Sequence, residues 1–131
     1  MIVVDASAVV EFLLQTPLGQ RVEASLFDRT EQLHAPHLLD VEVIQALRRL
    51  VRTGDVLPGR AAEALDDLAA LAIRRHSHFD LLGRAWELRD NLSAYEAMYV
   101  ALAEAIDSPL VTCDAGLSTA PGHAAQIEVV R

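Results

Sequence analysis

Short apolar runs alternate with longer amphipathic segments along the chain. Runs of three or four aliphatic residues bounded by turn formers fit buried strands, and apolar positions three or four residues apart fit helices. This pattern predicts strands near residues 2–4, 33–35, 73–76, 110–112 and 127–130. It predicts helices near residues 7–15, 18–29, 38–53, 58–72, 80–90 and 93–106. Strands that alternate with helices indicate an α/β fold, with a parallel sheet covered on both faces.

The bulk properties fit one domain over residues 1–131. The chain is 52% hydrophobic but only 5% aromatic, so its core must be aliphatic. No charge-free run approaches the roughly 18 residues that span a bilayer, and the N-terminus lacks the basic stretch of a signal peptide. A single cysteine excludes an internal disulfide and suits a reducing compartment. We therefore expect a cytoplasmic protein without a membrane segment.

The net charge is −8, and all 11 basic residues are arginines. This excess of negative charge argues against a protein that coats nucleic acid by electrostatic attraction alone. It leaves open a metal-dependent nuclease, because part of the negative charge would then belong to the metal site. A receiver-type or phosphoryl-transfer domain is disfavoured, since such domains usually need a lysine near the site and this chain has none.

Two of the predicted strands run into an aspartate. Asp5 follows the strand at 2–4 directly, and Asp114 follows the strand at 110–112 after one residue. Sites in open α/β sheets form beyond the carboxyl ends of the strands, and two carboxylates brought together there repel unless a cation lies between them. The pattern therefore predicts a divalent-metal site. The alternative is that Asp5 only caps a helix and Asp114 only forms a turn.

Two glutamates on predicted helices could join this site. At about 100° per residue, Glu42 lies on the border between the apolar and polar faces of the 38–53 helix, where it either flanks the core or reaches into a cleft. On the polar arc of the same helix, Arg49 either contacts a phosphate or faces solvent. Ser93 and Glu96 have the spacing of a capping box, which alone would explain Glu96.

Other residues that could carry chemistry have simpler interpretations. His76 and His78 have a spacing seen in metal sites, but they follow two arginines at an expected loop. Cys113 is expected to be a small buried side chain rather than a ligand. Trp86 lies among apolar residues and is expected to pack in the core.

Jointly, these residues resemble the PIN-domain ribonucleases, and specifically the VapC-type toxins of bacterial toxin–antitoxin pairs. The resemblance covers essentially the whole chain, and the segment 93–114 is its most specific part. It rests on four motifs: Asp5-x-Ser7, Glu42 in an apolar helix, Tyr95-Glu96-Ala97-x-Tyr99-Val100-Ala101-Leu102-Ala103, and Leu110-Val111-Thr112-x-Asp114.

The resemblance implies a compact three-layer α/β/α PIN-like sandwich with a small, mostly parallel central sheet. It maps the family's catalytic carboxylates onto four positions: Asp5, Glu42, Glu96 and Asp114. Of these, Asp5, Asp114 and Glu96 are the expected ligands of Mg²⁺ or Mn²⁺, while Glu42 could bind metal, position water or act as a base. Ser7 and Thr112 match hydroxyl positions beside the two aspartates.

The implied activity is hydrolysis of RNA phosphodiester bonds by a metal-activated water. The implied partners are RNA, a VapB-like antitoxin that blocks the site, and a second copy of the chain, in a homodimer and in a toxin–antitoxin hetero-oligomer. The negative charge of the chain suits a basic inhibitory segment.

One position departs from the family pattern. Glu96 stands where the Tyr-x-Ala triplet usually has Asp, and its longer side chain alters the expected metal geometry. This departure keeps open an alternative function, a catalytically weak or inactive PIN-fold interaction module with an acidic metal pocket.

Overall fold

The computed structural model describes residues 1–27 and 31–131. In these residues the strands are β1 (Ile2–Val4), β2 (Leu33–Pro36), β3 (Ile73–His76), β4 (Leu110–Thr112) and β5 (Ile127–Val129). The α-helices are α1 (Ala6–Leu13), α2 (Pro17–Phe27), α3 (Leu38–Arg52), α4 (Pro58–Ala70), α5 (Leu82–Glu87), α6 (Ala94–Ala105) and α7 (Gly116–Thr119). None of the described helices combines the length and apolarity that a bilayer crossing needs.

The five strands form one parallel sheet in the order β3-β2-β1-β4-β5. The central strand β1 pairs with β2 on one side and with β4 on the other. The chain therefore builds the sheet outward from β1 toward one edge and returns later to build the other edge. This reversal creates a switch point between β1 and β4, where the carboxyl ends of neighbouring strands open a crevice.

The side chains of β1 alternate between two helical layers. Ile2 and Val4 pack with α1, α2, α3 and α4, whereas Val3 packs with α5 and α6. Successive residues of a strand point to opposite faces of the sheet. Helices cover both faces here, so all three side chains are fully buried. The predicted three-layer α/β/α architecture is confirmed.

Most helix boundaries agree with the sequence pattern to within two or three residues. The predicted end of α3 is confirmed by Gly54, whose φ of +79° follows the last helical turn, as expected for a glycine just beyond a helix. The predicted end of the helix over 18–29 lies outside the described residues. The short α7 was not predicted, because four residues are too few to show an amphipathic period.

The segment predicted as one helix over 80–90 differs from that prediction. A 3₁₀ turn at Phe79–Leu81 leads into α5, which ends at Glu87. The expectation that Trp86 packs in the core is wrong: its side chain is 68% exposed, and the guanidinium of Arg89 lies 4.5 Å from its ring centre. The buried positions here are Leu81, Ala85, Leu88 and Leu92. Trp86 falls outside this stripe.

Two histidines anchor the start of α3 rather than forming a metal site. His76 closes β3, and its Nε2 lies 2.8 Å from Nδ1 of the buried His34. His78 accepts a hydrogen bond from the backbone N–H of Leu38 at 2.9 Å. Burial lowers the pKa of both His34 and His76, which favours their neutral forms. The hydrogen bond from Leu38 to His78 fixes the start of α3, which carries Glu42, beside the edge of the sheet.

The packing of α1 on α2 depends on a glycine. A Cβ on Gly19 would stand 1.9 Å from the backbone carbonyl oxygen of Glu11 in α1. Only a residue without a side chain allows this approach. This close contact holds α1 and α2 together as one packed unit.

An ion pair joins α5 to α6. Nε and Nη2 of Arg84 donate to the two carboxylate oxygens of Glu104 at 2.9 and 3.0 Å. The hydrogen bond from Arg84 lowers the pKa of Glu104 below its ordinary value. Arg84 also pairs with Glu87 at 2.9 Å, but Glu87 is 66% exposed whereas Glu104 is only 16% exposed.

We predict that Glu104→Gln lowers the free energy of unfolding by about 1 kcal/mol at neutral pH, because it removes a bidentate charge-assisted pair. The matched control, Glu87→Gln, removes an exposed partner of the same arginine and should have a much smaller effect. Urea unfolding measures both. Because folding lowers the pKa of Glu104, its contribution is complete above about pH 4.5 and is lost as the pH falls through the lowered pKa. Equal losses from the two substitutions would contradict this assignment.

Candidate active site

Asp5 lies at the junction between β1 and α1. Its Oδ1 accepts hydrogen bonds from the N–H of Ala8 at 3.1 Å and from the hydroxyl of Ser7 at 2.6 Å. Its Oδ2 accepts a hydrogen bond from the hydroxyl of Thr112. The side chain is only 7% exposed. Asp5 is therefore the N-cap of α1, and the same carboxylate also faces the crevice at the switch point.

Thr112 connects the two strand ends. It is fully buried, and its Oγ1 both donates to Asp5 and accepts from the backbone N–H of Asp114 at 2.9 Å. A second link comes from Ser7, whose hydroxyl oxygen accepts a hydrogen bond from the N–H of Cys113 at 3.0 Å. The two hydroxyls identified in the sequence therefore hold the aspartates beside each other.

Glu42 reaches the same place from α3. The hydroxyl of Tyr99, on α6, donates to Oε1 of Glu42 at 2.7 Å. This bond connects the two helical layers across the end of the sheet. Tyr99 was not among the predicted site residues, although the sequence held a signal: a tyrosine in an otherwise apolar helix needs a partner for its hydroxyl when it is buried. Tyr99 is 3% exposed.

Glu96 closes a capping box and also lines the crevice. The capping box is present, because the hydroxyl of Ser93 accepts from the N–H of Glu96 at 3.1 Å and Oε1 of Glu96 accepts from the N–H of Ser93 at 2.9 Å. The side chain of Glu96 also lines the crevice. One of its oxygens is used in the cap while the residue still contributes negative charge to the site.

These residues line one cavity of about 160 Å³, which we call the acidic cavity. Its lining residues are Asp5, Ala6, Ser7, Glu42, Glu96, Tyr99, Asp114 and Leu117. The structure thus brings all four predicted carboxylates to a single cavity. Within residues 1–27 and 31–131, no three His, Cys, Asp or Glu side chains are placed to hold one metal ion together.

The electrostatics of the acidic cavity favour a cation. Burial raises the pKa of Asp5, and the charge of Asp114 raises it further, against the hydrogen bonds that stabilise the ionised form. Burial also raises the pKa of Glu42, and the charges of Asp5 and Glu96 add to the effect. A divalent cation would relieve this repulsion between desolvated carboxylates.

The donor set fits Mg²⁺ or Mn²⁺. Among the residues that the structure describes, no donor bonds to Oε2 of Glu42, Oε2 of Glu96 or Oδ2 of Asp114. Carboxylate oxygens are the ligands that these ions prefer. Mg²⁺ commonly binds through one or two carboxylates and keeps several waters, so three converging protein ligands are not required.

A larger groove of about 750 Å³ adjoins the acidic cavity and shares Ala6, Ser7 and Glu42 with it. The remaining lining residues are Val10, Glu11, Leu18, Leu38, Val41, Gln45, Ala46, Arg49, Tyr95 and Cys113. Arg49, for which the sequence left open a phosphate contact or a solvent-exposed position, is one of the residues that line the groove. Burial raises the pKa of the Cys113 thiol to about 11, so the thiol stays protonated near neutral pH.

Comparison with known proteins identifies the family. The PIN domain profile matches residues 2–122. Ribonuclease VapC1 of Mycobacterium tuberculosis is 43% identical over 130 residues, which cover 98% of this chain and 97% of that protein. The chain belongs to the VapC-type PIN-domain ribonucleases. VapC ribonuclease Mb0985 of Mycobacterium bovis is 44% identical over 118 residues, covering 90% of this chain and 89% of that protein.

The VapC-type fold also agrees with a solved structure. PAE2754 from Pyrobaculum aerophilum superposes with a TM-score of 0.70 at 25% sequence identity, covering 98% of this chain and 83% of that chain. The VapC-type resemblance and the three-layer fold expected from the sequence are therefore both confirmed.

We predict that Thr112→Val destabilises this VapC-type protein by about 2 kcal/mol, because it keeps the volume but leaves the buried oxygen of Asp5 and the N–H of Asp114 without their partner. Thr112→Ser is the matched control. It keeps the hydroxyl, loses one buried methyl group, and should cost about 1 kcal/mol. Urea unfolding of both variants checks the order. A Thr112→Val protein as stable as wild type would show that the hydroxyl does not hold the site together.

Proposed function

We propose that this chain is a divalent-metal-dependent ribonuclease toxin that hydrolyses RNA phosphodiester bonds. The observation that carries the proposal is the acidic cavity at the switch point between β1 and β4, which four carboxylates line. Membership of a family whose relatives are named ribonucleases supports RNA as the substrate.

In this proposal Asp5 and Asp114 would hold the ion directly, and the free oxygen of Glu96 would bind the ion or one of its waters. When bound, Mg²⁺ or Mn²⁺ supplies an activated water and neutralises charge that develops on the phosphate. Glu42 is oriented by its hydrogen bond from Tyr99, and its other oxygen can hold a water or accept a proton. Its raised pKa makes it a better proton acceptor than an ordinary surface glutamate.

The proposed partners follow from charge and exposed surface. A net charge of −8 favours a basic inhibitory segment from a VapB-like antitoxin. Phe79, Leu82 and Trp86 are 77%, 51% and 68% exposed. Such exposed apolar side chains support a homodimer, alone and within a toxin–antitoxin hetero-oligomer. A single cysteine and an RNA substrate fit a cytoplasmic protein.

We predict that Asp5→Asn abolishes metal-dependent RNA cleavage while the protein stays folded. The cleavage rate should fall by more than the roughly 10- to 100-fold typical of removing a residue that only supports a metal ligand. The larger effect is expected because Asp5→Asn removes the charge of a proposed ligand itself. Cleavage of a labelled single-stranded RNA with added Mg²⁺ or Mn²⁺ measures activity, and circular dichroism checks the fold. Glu63→Gln is the matched control, since Glu63 is 72% exposed and does not line the acidic cavity.

Two results would count against the proposal. Cleavage that persists after chelation of divalent ions would exclude metal dependence. Full activity in folded Asp5→Asn would exclude Asp5 as a ligand. If the wild-type protein cleaves no RNA with either metal, the alternative of an inactive interaction module gains support.

Substitutions at Glu96 distinguish a capping role of this residue from a catalytic role. We predict that Glu96→Gln lowers cleavage steeply with little loss of stability, because glutamine keeps the capping box but removes the charge. Glu96→Asp restores the residue usual in the family and should keep or raise activity, at a cost of about 1 kcal/mol or less for the weakened cap. Cleavage rates and urea unfolding of both variants test this. Near-normal cleavage by Glu96→Gln would leave a three-carboxylate site of Asp5, Glu42 and Asp114.

A further inference from the structure

We propose that the groove beside the acidic cavity is a subsite for the nucleotide next to the scissile phosphate, and that Tyr95 stacks on its base. The inference rests on the proposed function, because it takes the acidic cavity as the place of cleavage. It adds a positioning residue that the carboxylate chemistry does not itself require.

Tyr95 lies where the groove meets the acidic cavity. It lines the groove, while the next residue, Glu96, lines the cavity. The Tyr95 side chain is 61% exposed, whereas Tyr99 of the same helix is 3% exposed and bonds to Glu42. Among the described residues, none bonds to the Tyr95 hydroxyl. An aromatic ring left open at the edge of a polynucleotide site is a surface on which an unpaired base can stack.

The part of the groove wall that α3 forms carries a polar stripe. Glu42, Gln45 and Arg49 are spaced i, i+3 and i+7, so they lie on one face of the helix. With a rise of about 1.5 Å per residue, Gln45 is about 4.5 Å and Arg49 about 10.5 Å beyond Glu42 along the helix axis. From the acidic cavity outward, the wall therefore offers a carboxylate, an amide and a guanidinium.

This order of groups matches a nucleotide strand. The amide of Gln45 can bond to the edge of a base, and the guanidinium of Arg49 can pair with a phosphate beyond the scissile one. Arg49 is the only cationic side chain among the described residues that line the groove. It faces solvent there without an ion pair to any described carboxylate.

The floor of the groove is apolar, with Val10, Leu18, Leu38, Val41 and Ala46 as its aliphatic residues. Its volume of about 750 Å³ falls within the roughly 300–1,000 Å³ typical of ligand pockets. Glu11 and Glu42 also line the groove, so charge alone does not distinguish RNA from a basic peptide. The groove shares Glu42 with the cavity where cleavage is proposed, so an RNA strand that is cut there must continue along it, and Arg49 is placed to pair with its phosphate. A stacked base must be unpaired, and the substrate at the cut is therefore single-stranded or looped RNA.

The test compares three substitutions at one exposed position. The probe is a single-stranded RNA whose cleavage position has been mapped with the wild-type protein. We expect Tyr95→Ala and Tyr95→Leu to raise KM about 5- to 100-fold with a much smaller effect on kcat, as loss of one stacked base does. Tyr95→Phe keeps the ring and should restore most of the affinity.

A modified RNA makes the test specific to one base. An abasic residue on the occupied side of the cut should weaken cleavage by wild type about as much as Tyr95→Ala weakens cleavage of the intact RNA. The two changes together should not add, because each removes the same contact. Additive losses at every position would overturn the stacking contact.

The remaining outcomes separate the subsite from the proposed function. A Tyr95→Leu protein with wild-type KM would show that the ring is not needed and would overturn the stacking contact. If the wild-type protein cleaves no RNA, the proposed function fails first. The nucleotide subsite is then tested by measuring the Kd of a fluorescent single-stranded RNA. Equal Kd values for wild type and Tyr95→Ala would overturn the proposed subsite.

Discussion

The buried hydrogen bond between Thr112 and Asp5 is the interaction on which the site depends. It exists because β1 and β4 are parallel neighbours, so their carboxyl ends meet at one edge of the sheet. A carboxylate buried to the extent of Asp5 is costly unless donors satisfy its oxygens. The hydroxyls of Thr112 and Ser7 supply those donors while they also accept backbone N–H groups from the β4 side. The same contacts that stabilise the buried carboxylate of Asp5 therefore also fix its distance from Asp114.

Helix N-termini supply a second source of stabilisation for the carboxylates. Asp5 caps α1, and Glu96 lies in the first turn of α6. The N-terminus of a helix carries a partial positive charge of roughly half a unit, which favours nearby anions. Each helix start compensates part of the repulsion that the acidic cavity creates. This helps to explain how four carboxylates can line one small cavity in a folded chain.

The sequence predicted the elements and the carboxylates, but not the contacts that organise them. Strand ends at Asp5 and Asp114 were visible because short β-branched runs stop at a residue that disfavours strands. The order of the strands was not visible, since hydrophobic periodicity contains no information on which strands pair. The bond from Tyr99 to Glu42 depends on that order, as it joins residues 57 positions apart. The exposure of Trp86 was missed because it directly follows the buried Ala85, and successive residues of a helix point about 100° apart.

The length of the Glu96 side chain connects local stability with the geometry of the site. A residue at the third helical position can complete a capping box only if its carboxylate reaches back to the N–H of the capping residue, and glutamate does so whereas the shorter aspartate is not a box residue. In this chain that reach places Oε1 of Glu96 on the N–H of Ser93, while Glu96 also lines the acidic cavity. The added methylene group of Glu96 therefore stabilises the start of α6. It also restricts the positions that the Glu96 carboxylate can occupy. An ion bound in the acidic cavity would meet a Glu96 carboxylate that the capping box already holds in position.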